Sequence, residues 1–227
     1  MQISFSGKNV LVTGGTRGIG LAISNLFERL GGNIISLDTS DCNFLADNIE
    51  EYLNSSIKFT EIDILVNNAG INKIDNFQNI NSEDFINIMK VNVEAPMRIS
   101  KHVIGNMVKN NWGRILNISS VWGTKSIQKR ASYSTSKSAI KGLTRAMAIE
   151  FARSNILINT LSPGFTNTEM TSKILSPAQR ELMVGKVPIS RMAQPEEIAH
   201  TAAFLCSDYN TYITGQDIVV DGGFLIS

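Results

Sequence analysis

The amino-acid sequence predicts an α/β protein built on a doubly wound parallel sheet of six strands, and three observations carry that expectation. Short apolar runs alternate along the chain with stretches of helical periodicity. The first apolar run ends in a glycine-rich turn that opens directly into a helical pattern. The interval after the second run is too short for a further strand with its own crossovers. Helices then cover both faces, and ligands of such sheets bind beyond the carboxyl ends of the strands.

Asn9-Val10-Leu11-Val12-Thr13 is an unbroken apolar run, as expected of a strand buried on both faces. From Gly18 to Leu30 the apolar residues Ile19, Ala22, Ile23, Leu26, Phe27 and Leu30 recur at helical spacing, and Gly31-Gly32 ends the helix. Asn33 to Leu37 is the second strand. Only 28 residues separate Asp38 from Asn67. Within them Ala46 to Leu53 has the composition of one short helix with Ile49, Tyr52 and Leu53 as its apolar side, and Asp63 opens the strand around Ile64-Leu65-Val66. A crossover to a parallel neighbour takes at least about ten to twelve residues, so no extra strand fits, and Asn33–Leu37 is left at the sheet edge. Ser82 to Val108 and Ala131 to Ala152 read as long helices, the first with Ser82 as N-cap and Glu83 and Asp84 in its first turn. Ile115 to Ile118, Ile156 to Leu161 and Asp217 to Val220 complete the strands. Phe165 to Ala193 stands outside the alternation, with a helix after Ser176-Pro177, and its place near the strand ends predicts a lid over the substrate.

Composition sets the class. The 227 residues are 43% hydrophobic and 18% charged, which excludes disorder and suits a single domain over residues 1–227. Net charge is +1 with Lys and Arg scattered, so neither nucleic acid nor an anionic membrane is an expected partner, and a small molecule is. Cys42, Cys206, His102 and His200 have no metal-ligand spacing, so no metal site and no disulfide is expected. Met1-Gln2-Ile3-Ser4 runs into the first strand without the layout of a signal peptide, and no apolar run reaches roughly 18 residues, so a cytoplasmic location is expected.

The turn Thr13 to Gly20 has glycines that let a diphosphate approach the backbone, and the helix behind it offers free N–H groups and the positive end of its dipole. Eighteen residues past Gly20, Asp38 ends the second strand. A carboxylate there accepts hydrogen bonds from ribose hydroxyls and repels a 2′-phosphate, which favours NAD over NADP. Arg17 pulls weakly the other way. Tyr133 and Lys137 are four residues apart on one helix and share a face. A free phenol has a pKa of about 10, and a neighbouring ammonium favours its ionised form. Tyr133 is thus a candidate acid and base, with Ser120 at a strand end to hold the substrate oxygen.

Taken together, these segments resemble the short-chain dehydrogenase/reductase family. Thr13–Gly20 resembles its TGxxxGxG, Asn67-Asn68-Ala69-Gly70 its NNAG signature, and Tyr133 to Lys137 its catalytic YxxxK, with Ser120 and Asn92 at matching positions. Tyr212 to Gln216 and Asp221-Gly222-Gly223 are similar to its C-terminal signature. The resemblance implies a Rossmann-type fold and hydride transfer between a nicotinamide cofactor and a secondary alcohol or ketone. It makes Asn92, Ser120, Tyr133 and Lys137 the catalytic set, with Asn92 anchoring a proton-relay water. Its cofactor contacts fall on Gly14, Thr16, Arg17, Gly18, Ile19, Gly20, Asp38, Asn68, Ala69, Gly70, Tyr133, Lys137, Pro163, Gly164, Thr166 and Thr168. It also implies a homotetramer through the long helices and the C-terminal strand region. The last third looks most like 3-oxoacyl-carrier-protein reductases, so a 3-oxoacyl thioester is one substrate class. A hydroxylated small metabolite is the other, because Asp38 disfavours the NADPH of those reductases and Asn111 stands where carrier-docking members have a basic residue. A non-catalytic, cofactor-binding regulator of the same fold is the alternative from another class. Against the family pattern, one strand and one helix are missing after Asp38; Asn43 is the nearby candidate to meet the adenine amine, and NAD affinity should fall by about an order of magnitude, some 1.4 kcal/mol.

Overall fold

The computed structural model describes residues 2–45, 48–55, 59, 61–174 and 176–227, Ile174 by its backbone only. Among them, six strands form one sheet: β1 (Asn9–Thr13), β2 (Asn33–Leu37), β3 (Ile64–Asn67), β4 (Gly113–Ile118), β5 (Ile156–Pro163) and β6 (Asp217–Val220). They lie in the order β2-β1-β3-β4-β5-β6, and every neighbouring pair is parallel. The chain moves outward from β1 to β2 and then returns to β1's other side with β3. That reversal opens a crevice beyond the carboxyl ends of β1 and β3, where the glycine-rich turn sits.

Strand periodicity sorts the core into two layers. Val10, Val12, Ile64, Val66 and Leu116 face α1 (Gly18–Arg29) and α8 (Pro195–Cys206), packing with Ile23, Phe27, Ile198 and Ala202. Leu11, Leu65, Ile115 and Ile158 face α2 (Ile49–Asn54), α4 (Ala95–Asn110) and α5 (Ala131–Phe151), packing with Leu53, Val103, Met107 and Ala148. Each fully buried side chain of this size stabilises the fold by about 1.5–3 kcal/mol before entropy is counted. β3, β4 and β5 are buried throughout, while β2 and β6 are the partly exposed edges.

Between β2 and β3 the described residues hold α2 and no strand, so β2 is the sheet edge as the short interval requires. The helix begins at Ile49 rather than Ala46, which with Asp47 lies outside the described residues. Cys42, Phe44, Phe59 and Ile62 are buried against the α2–α4 layer and cover the apolar flank that a further strand would otherwise cover.

The long helix expected from Ser82 to Val108 is two helices, α3 (Ser82–Met89) and α4, joined by a π-helical turn over Lys90–Glu94. Pro96 has no N–H to offer the carbonyl of Asn92 four residues earlier, so the α-helical ladder cannot run through this point. The N-cap is Asn81, whose side chain accepts the Glu83 N–H at 2.8 Å, and Ser82 is the first helical residue instead. The 165–193 excursion carries α6 (Glu169–Ile174) and α7 (Pro177–Val184), the latter closed by a capping box between Ser176 and Gln179. Its two ends are tied together where Ala193 N donates to Phe165 O and Asn167 N to Ala193 O, both at 2.9 Å.

Candidate active site

The glycine-rich turn is shaped by backbone conformations that side chains resist. Gly14 and Gly18 have φ of 65° and 55°, and a Cβ on Gly20 would lie 2.1 Å from the Gly14 carbonyl oxygen. Arg17 precedes α1 in extended conformation and its side chain caps nothing, so the first N–H groups of α1, from Gly18, Ile19 and Gly20, have no side-chain acceptor there. Asn68 pins the turn: its Nδ2 donates to Thr13 O at 3.0 Å and Gly14 O at 2.9 Å. Thr13 Oγ1 accepts the N–H groups of Asn68 and Ala69, each at 3.0 Å. The side-chain amide of Asn68 is thereby spent on the fold, and Ala69 and Gly70 are what the segment presents to the cleft as backbone.

Asp38 lies across the turn at the end of β2. Its Oδ1 accepts Thr16 Oγ1–H at 3.0 Å, while Oδ2 is buried and meets no donor. A buried carboxylate oxygen without a donor is costly, and ribose hydroxyls are what would satisfy it. At the far end of the cleft, Gly164 follows Pro163, its N–H donates to Val220 O at 2.9 Å, and a Cβ on it would meet Asp221 Cα at 2.7 Å. Thr166 Oγ1 donates to Gly164 O at 3.2 Å, and Thr168 Oγ1 shares a 3.1 Å hydrogen bond with Thr171. The Thr168 methyl group comes within 3.6 Å of where a Cβ on Gly18 would stand, so the excursion folds back over the turn.

The four candidate catalytic residues converge between these ends. Ser120 follows β4, accepts the Trp122 N–H at 3.2 Å, and lies near enough to the Tyr133 phenol to favour its ionised form. Burial pushes that phenol up, against the opposing pull of Ser120 and of the Arg130 charge. Lys137 is buried, donates from Nζ to Ile118 O at 2.7 Å, and stands 5.7 Å from the centre of the Tyr133 ring. Desolvation pushes its ammonium down to about 8. Asn92 lies in the π turn; its Oδ1 accepts Ile71 N–H at 2.8 Å and its Nδ2 donates to Ile71 O and Ser136 Oγ, each at 2.9 Å. A Cβ on Gly70 would come within 3.2 Å of Asn92 Oδ1 and 3.5 Å of Lys137 Nζ, so the missing side chain leaves room where those groups approach.

Sequence reasoning missed the supports. Ser136 Oγ donates to Tyr133 O at 2.8 Å while receiving Asn92, and Ser119 Oγ donates to Lys137 O at 2.8 Å. Both serines adjoin motif residues, but only their buried partners reveal a role. No group of three or more His, Cys, Asp or Glu side chains among the described residues could hold a metal ion, and both cysteines are free. No helix among them is long and apolar enough to cross a membrane.

A glycine cradle at a sheet switch point, an unsatisfied carboxylate oxygen for ribose and a Ser–Tyr–Lys cluster together fit a nicotinamide dinucleotide and define an oxidoreductase of alcohols and ketones. A family model described as enoyl-(acyl carrier protein) reductase matches residues 6–225. The chain is 38% identical to the 3-oxoacyl-[acyl-carrier-protein] reductase FabG of Rickettsia conorii, over 99% of this chain and 100% of that one. With the FabG of Vibrio cholerae the identity is 37% over 97% and 98%. Among solved structures, a protein of Beutenbergia cavernae described as an NAD(P)-dependent gluconate 5-dehydrogenase, with NADP bound at low occupancy, superimposes with a TM-score of 0.94 at 28% identity, covering 100% of both chains. One from Agrobacterium tumefaciens described as a gluconate dehydrogenase gives 0.89 at 27%, covering 100% of this chain and 99% of that one. The chain belongs to the short-chain dehydrogenase/reductase family and is an oxidoreductase acting on CH–OH groups with a nicotinamide cofactor.

Proposed function

We propose that this chain interconverts a secondary alcohol and a ketone with Tyr133 as proton donor and acceptor, Ser120, Lys137 and Asn92 in support, and NAD as the preferred dinucleotide. The observation that carries the reading is the convergence of the Tyr133 phenol with Ser120 beside a buried Lys137 ammonium. The dinucleotide, when bound, supplies or accepts the hydride. Ser120 Oγ holds the substrate oxygen and stabilises charge that develops on it. Tyr133 gives that oxygen a proton during reduction and takes it back during oxidation. Lys137 binds ribose, and its charge offsets the burial that holds the phenol neutral. Asn92, whose carbonyl Pro96 leaves without an α-helical donor, anchors a relay water in the room beside Gly70. Gly14, Thr16, Arg17, Gly18, Ile19, Gly20, Ala69, Gly70, Pro163, Gly164, Thr166 and Thr168 line the dinucleotide site, with Asn68 bracing it.

The NAD preference rests on Asp38, whose free Oδ2 suits two ribose hydroxyls and repels a 2′-phosphate. Its test is a thermal-stability scan with NAD, NADH, NADP and NADPH, followed by a ketone and alcohol panel with the dinucleotide that stabilises most. Stabilisation by NADPH alone would overturn it. The relatives named for 3-oxoacyl-carrier-protein reduction support a thioester substrate, and the neighbours named for gluconate support a hydroxylated metabolite. Asn111, in left-handed conformation at the end of α4, offers no cation for a carrier and favours the second class. Dinucleotide binding without hydride transfer across the panel would favour the non-catalytic regulator. Ile149 on α5 is 83% exposed and Tyr212 near β6 is 96% exposed, which supports a homotetramer through those two faces. Light scattering of the purified chain tests that assembly, and fractionation of its cells tests the cytoplasmic location.

A further inference from the structure

Arg130 is 8% exposed, three residues before Tyr133 at the start of α5. Among the described residues no hydrogen-bond acceptor and no carboxylate meets its guanidinium, and it makes no side-chain cap. No Arg130 nitrogen is both buried and unpartnered, so the guanidinium reaches solvent at its tip, whereas the other inward-facing guanidiniums have protein partners, Arg114 at all but its buried Nε. Arg114, 3% exposed, donates to the carbonyls of Gly113, Asn155 and Asn210 and lies over the Trp112 ring. Arg98 is held by Glu50 and Glu94. A largely buried charge without a protein partner is open to a ligand that reaches its solvent-facing tip, and burial pushes the Arg130 guanidinium down from its ordinary range. The segment from Gly123 to Arg130 carries Lys125 and Lys129 and no acidic residue, and Asp75, which adjoins Lys129, forms no ion pair with Arg130.

The placement of Arg130 is specific. Lys129, just before it, adopts a left-handed φ of 68°, strained for a side-chain-bearing residue, and its carbonyl is held by Asp75 N at 3.3 Å. Three and four residues apart on a helix are neighbours, and the Arg130 charge is felt at the Tyr133 phenol. Trp122, Phe165 and Phe224 pack edge to face, with centroids 5.1–5.9 Å apart, and Tyr133 leans on that cluster. The proton donor thus has an apolar cluster against it and, near enough to act on its phenol, a guanidinium without a counter-ion among the described residues.

We infer that Arg130 is the residue that recognises an oxyanion, a carboxylate or a phosphate, carried by the substrate close to its reacting carbon. Planar guanidinium binds either group through paired N–H donors, and a buried one favours a ligand that brings the missing charge. The inference rests on the oxidoreductase reading above and separates its two substrate classes. A 3-oxoacyl thioester has no charge beside its ketone, whereas an oxo acid or an oxo phosphate has.

The test uses the purified protein saturated with oxidised dinucleotide, NAD and NADP in parallel, which can bind a ketone without reducing it. Calorimetric titration compares pyruvate, acetoacetate and levulinate each with its methyl ester, and dihydroxyacetone phosphate with dihydroxyacetone. The wild type is expected to bind at least one anion about tenfold or more tightly than its neutral counterpart. The acid pairs and the phosphate pair tell which oxyanion is read. In Arg130→Met the preference should fall below about threefold, and Arg130→Lys should restore part of it, with circular dichroism and light scattering confirming fold and assembly. Equal binding of charged and neutral members by the wild type, binding of none of them, or an undiminished preference in Arg130→Met would overturn the inference. A change in assembly without a change in preference would do so too, by making Arg130 an interface residue. Turnover is assayed separately with reduced dinucleotide: anion preference without any hydride transfer upholds the Arg130 site and overturns the catalytic reading.

Discussion

The catalytic end of the cleft and the adenosine end are built on different terms. Around α5 the catalytic side chains, Arg130 apart, are held by protein partners: Asn92 holds Ile71 and Ser136, Ser136 holds the Tyr133 carbonyl, and Lys137 holds Ile118. At the adenosine end, Asp38 keeps one carboxylate oxygen without a donor, and β2 is an edge strand with no further strand beyond it among the described residues. The first region is set before any ligand arrives; the second is completed by the ligand. Substitutions at the first should therefore change chemistry or fold stability, and substitutions at the second should change which dinucleotide binds and how tightly.

The largest expected effect tests the first half of that contrast. Tyr133→Phe removes the transferable proton and little else, so turnover should fall by about a thousandfold or more, over 4 kcal/mol in the barrier, while dinucleotide binding is nearly unchanged. Single-turnover kinetics beside a dinucleotide titration decides it, and retention of more than about a tenth of wild-type kcat would contradict the assignment. Lys137→Met comes next and should act in the opposite sense on stability. Desolvation holds this ammonium at about 8, below its ordinary value of 10.5. A lysine depressed in the folded state weakens the fold at pH below about 8, and that penalty is relieved as pH rises from about 8 to about 10.5. Removing the amine, with its hydrogen bond to Ile118, should stabilise the ligand-free protein at pH 7 by about 2 kcal/mol, and the gain should vanish above about pH 10. Urea melts of both proteins across that range measure it; a less stable Lys137→Met at pH 7 would show that Lys137 is a structural support.

How much of this was legible in the sequence follows the same division. The strands and the glycine turn were, because parallel strands buried on both faces are written as unbroken apolar runs such as Val10 to Val12 and Ile64 to Val66. The missing strand was readable from chain length alone. The π turn was not: Ser82 to Val108 keeps a helical apolar pattern through Lys90–Glu94, and only the absent N–H of Pro96 marks the break at Asn92. Arg130 was passed over because burial decides its meaning, and a lone arginine before a helix ordinarily reads as a solvated residue. Asn43 was read for its side chain, yet its Oδ1 already accepts the Leu45 N–H at 3.0 Å, so the expected adenine contact would have to share that acceptor.

At the adenosine end, Asp38→Ser should move the ratio of kcat/KM for NAD over NADP toward NADP by about thirtyfold, about 2 kcal/mol, since repulsion of the 2′-phosphate and the ribose hydrogen bonds go together. Arg17, exposed at the mouth of the turn, is then free to meet that phosphate. Steady-state kinetics with both dinucleotides tests the shift. A wild type that already prefers NADP would overturn the reading of Asp38.

The smallest effect bears on the missing strand itself. In the family pattern the end of that strand supplies the contact to the adenine amine, and here Cys42, Phe44, Phe59 and Ile62 turn inward to cover the core instead. Beside the turn Thr13, Phe44, Ala69, Val91, Ala95, Pro96 and Ile99 close together without room for a water molecule, and these mostly apolar groups cannot read the edge of a base. An adenine held by shape alone should tolerate replacement of its amine. The hypoxanthine analogue of NAD, with a carbonyl in the amine's place, is therefore expected to bind within about threefold of NAD, a difference of about 0.6 kcal/mol or less. Calorimetric titration of the two dinucleotides measures it, with adenosine ribose, diphosphate and nicotinamide identical in both. A preference for NAD above about tenfold would mean that a polar group does meet the amine, with Asn43 the first residue to substitute. It would also remove the reason to expect weaker binding than in relatives that keep the strand.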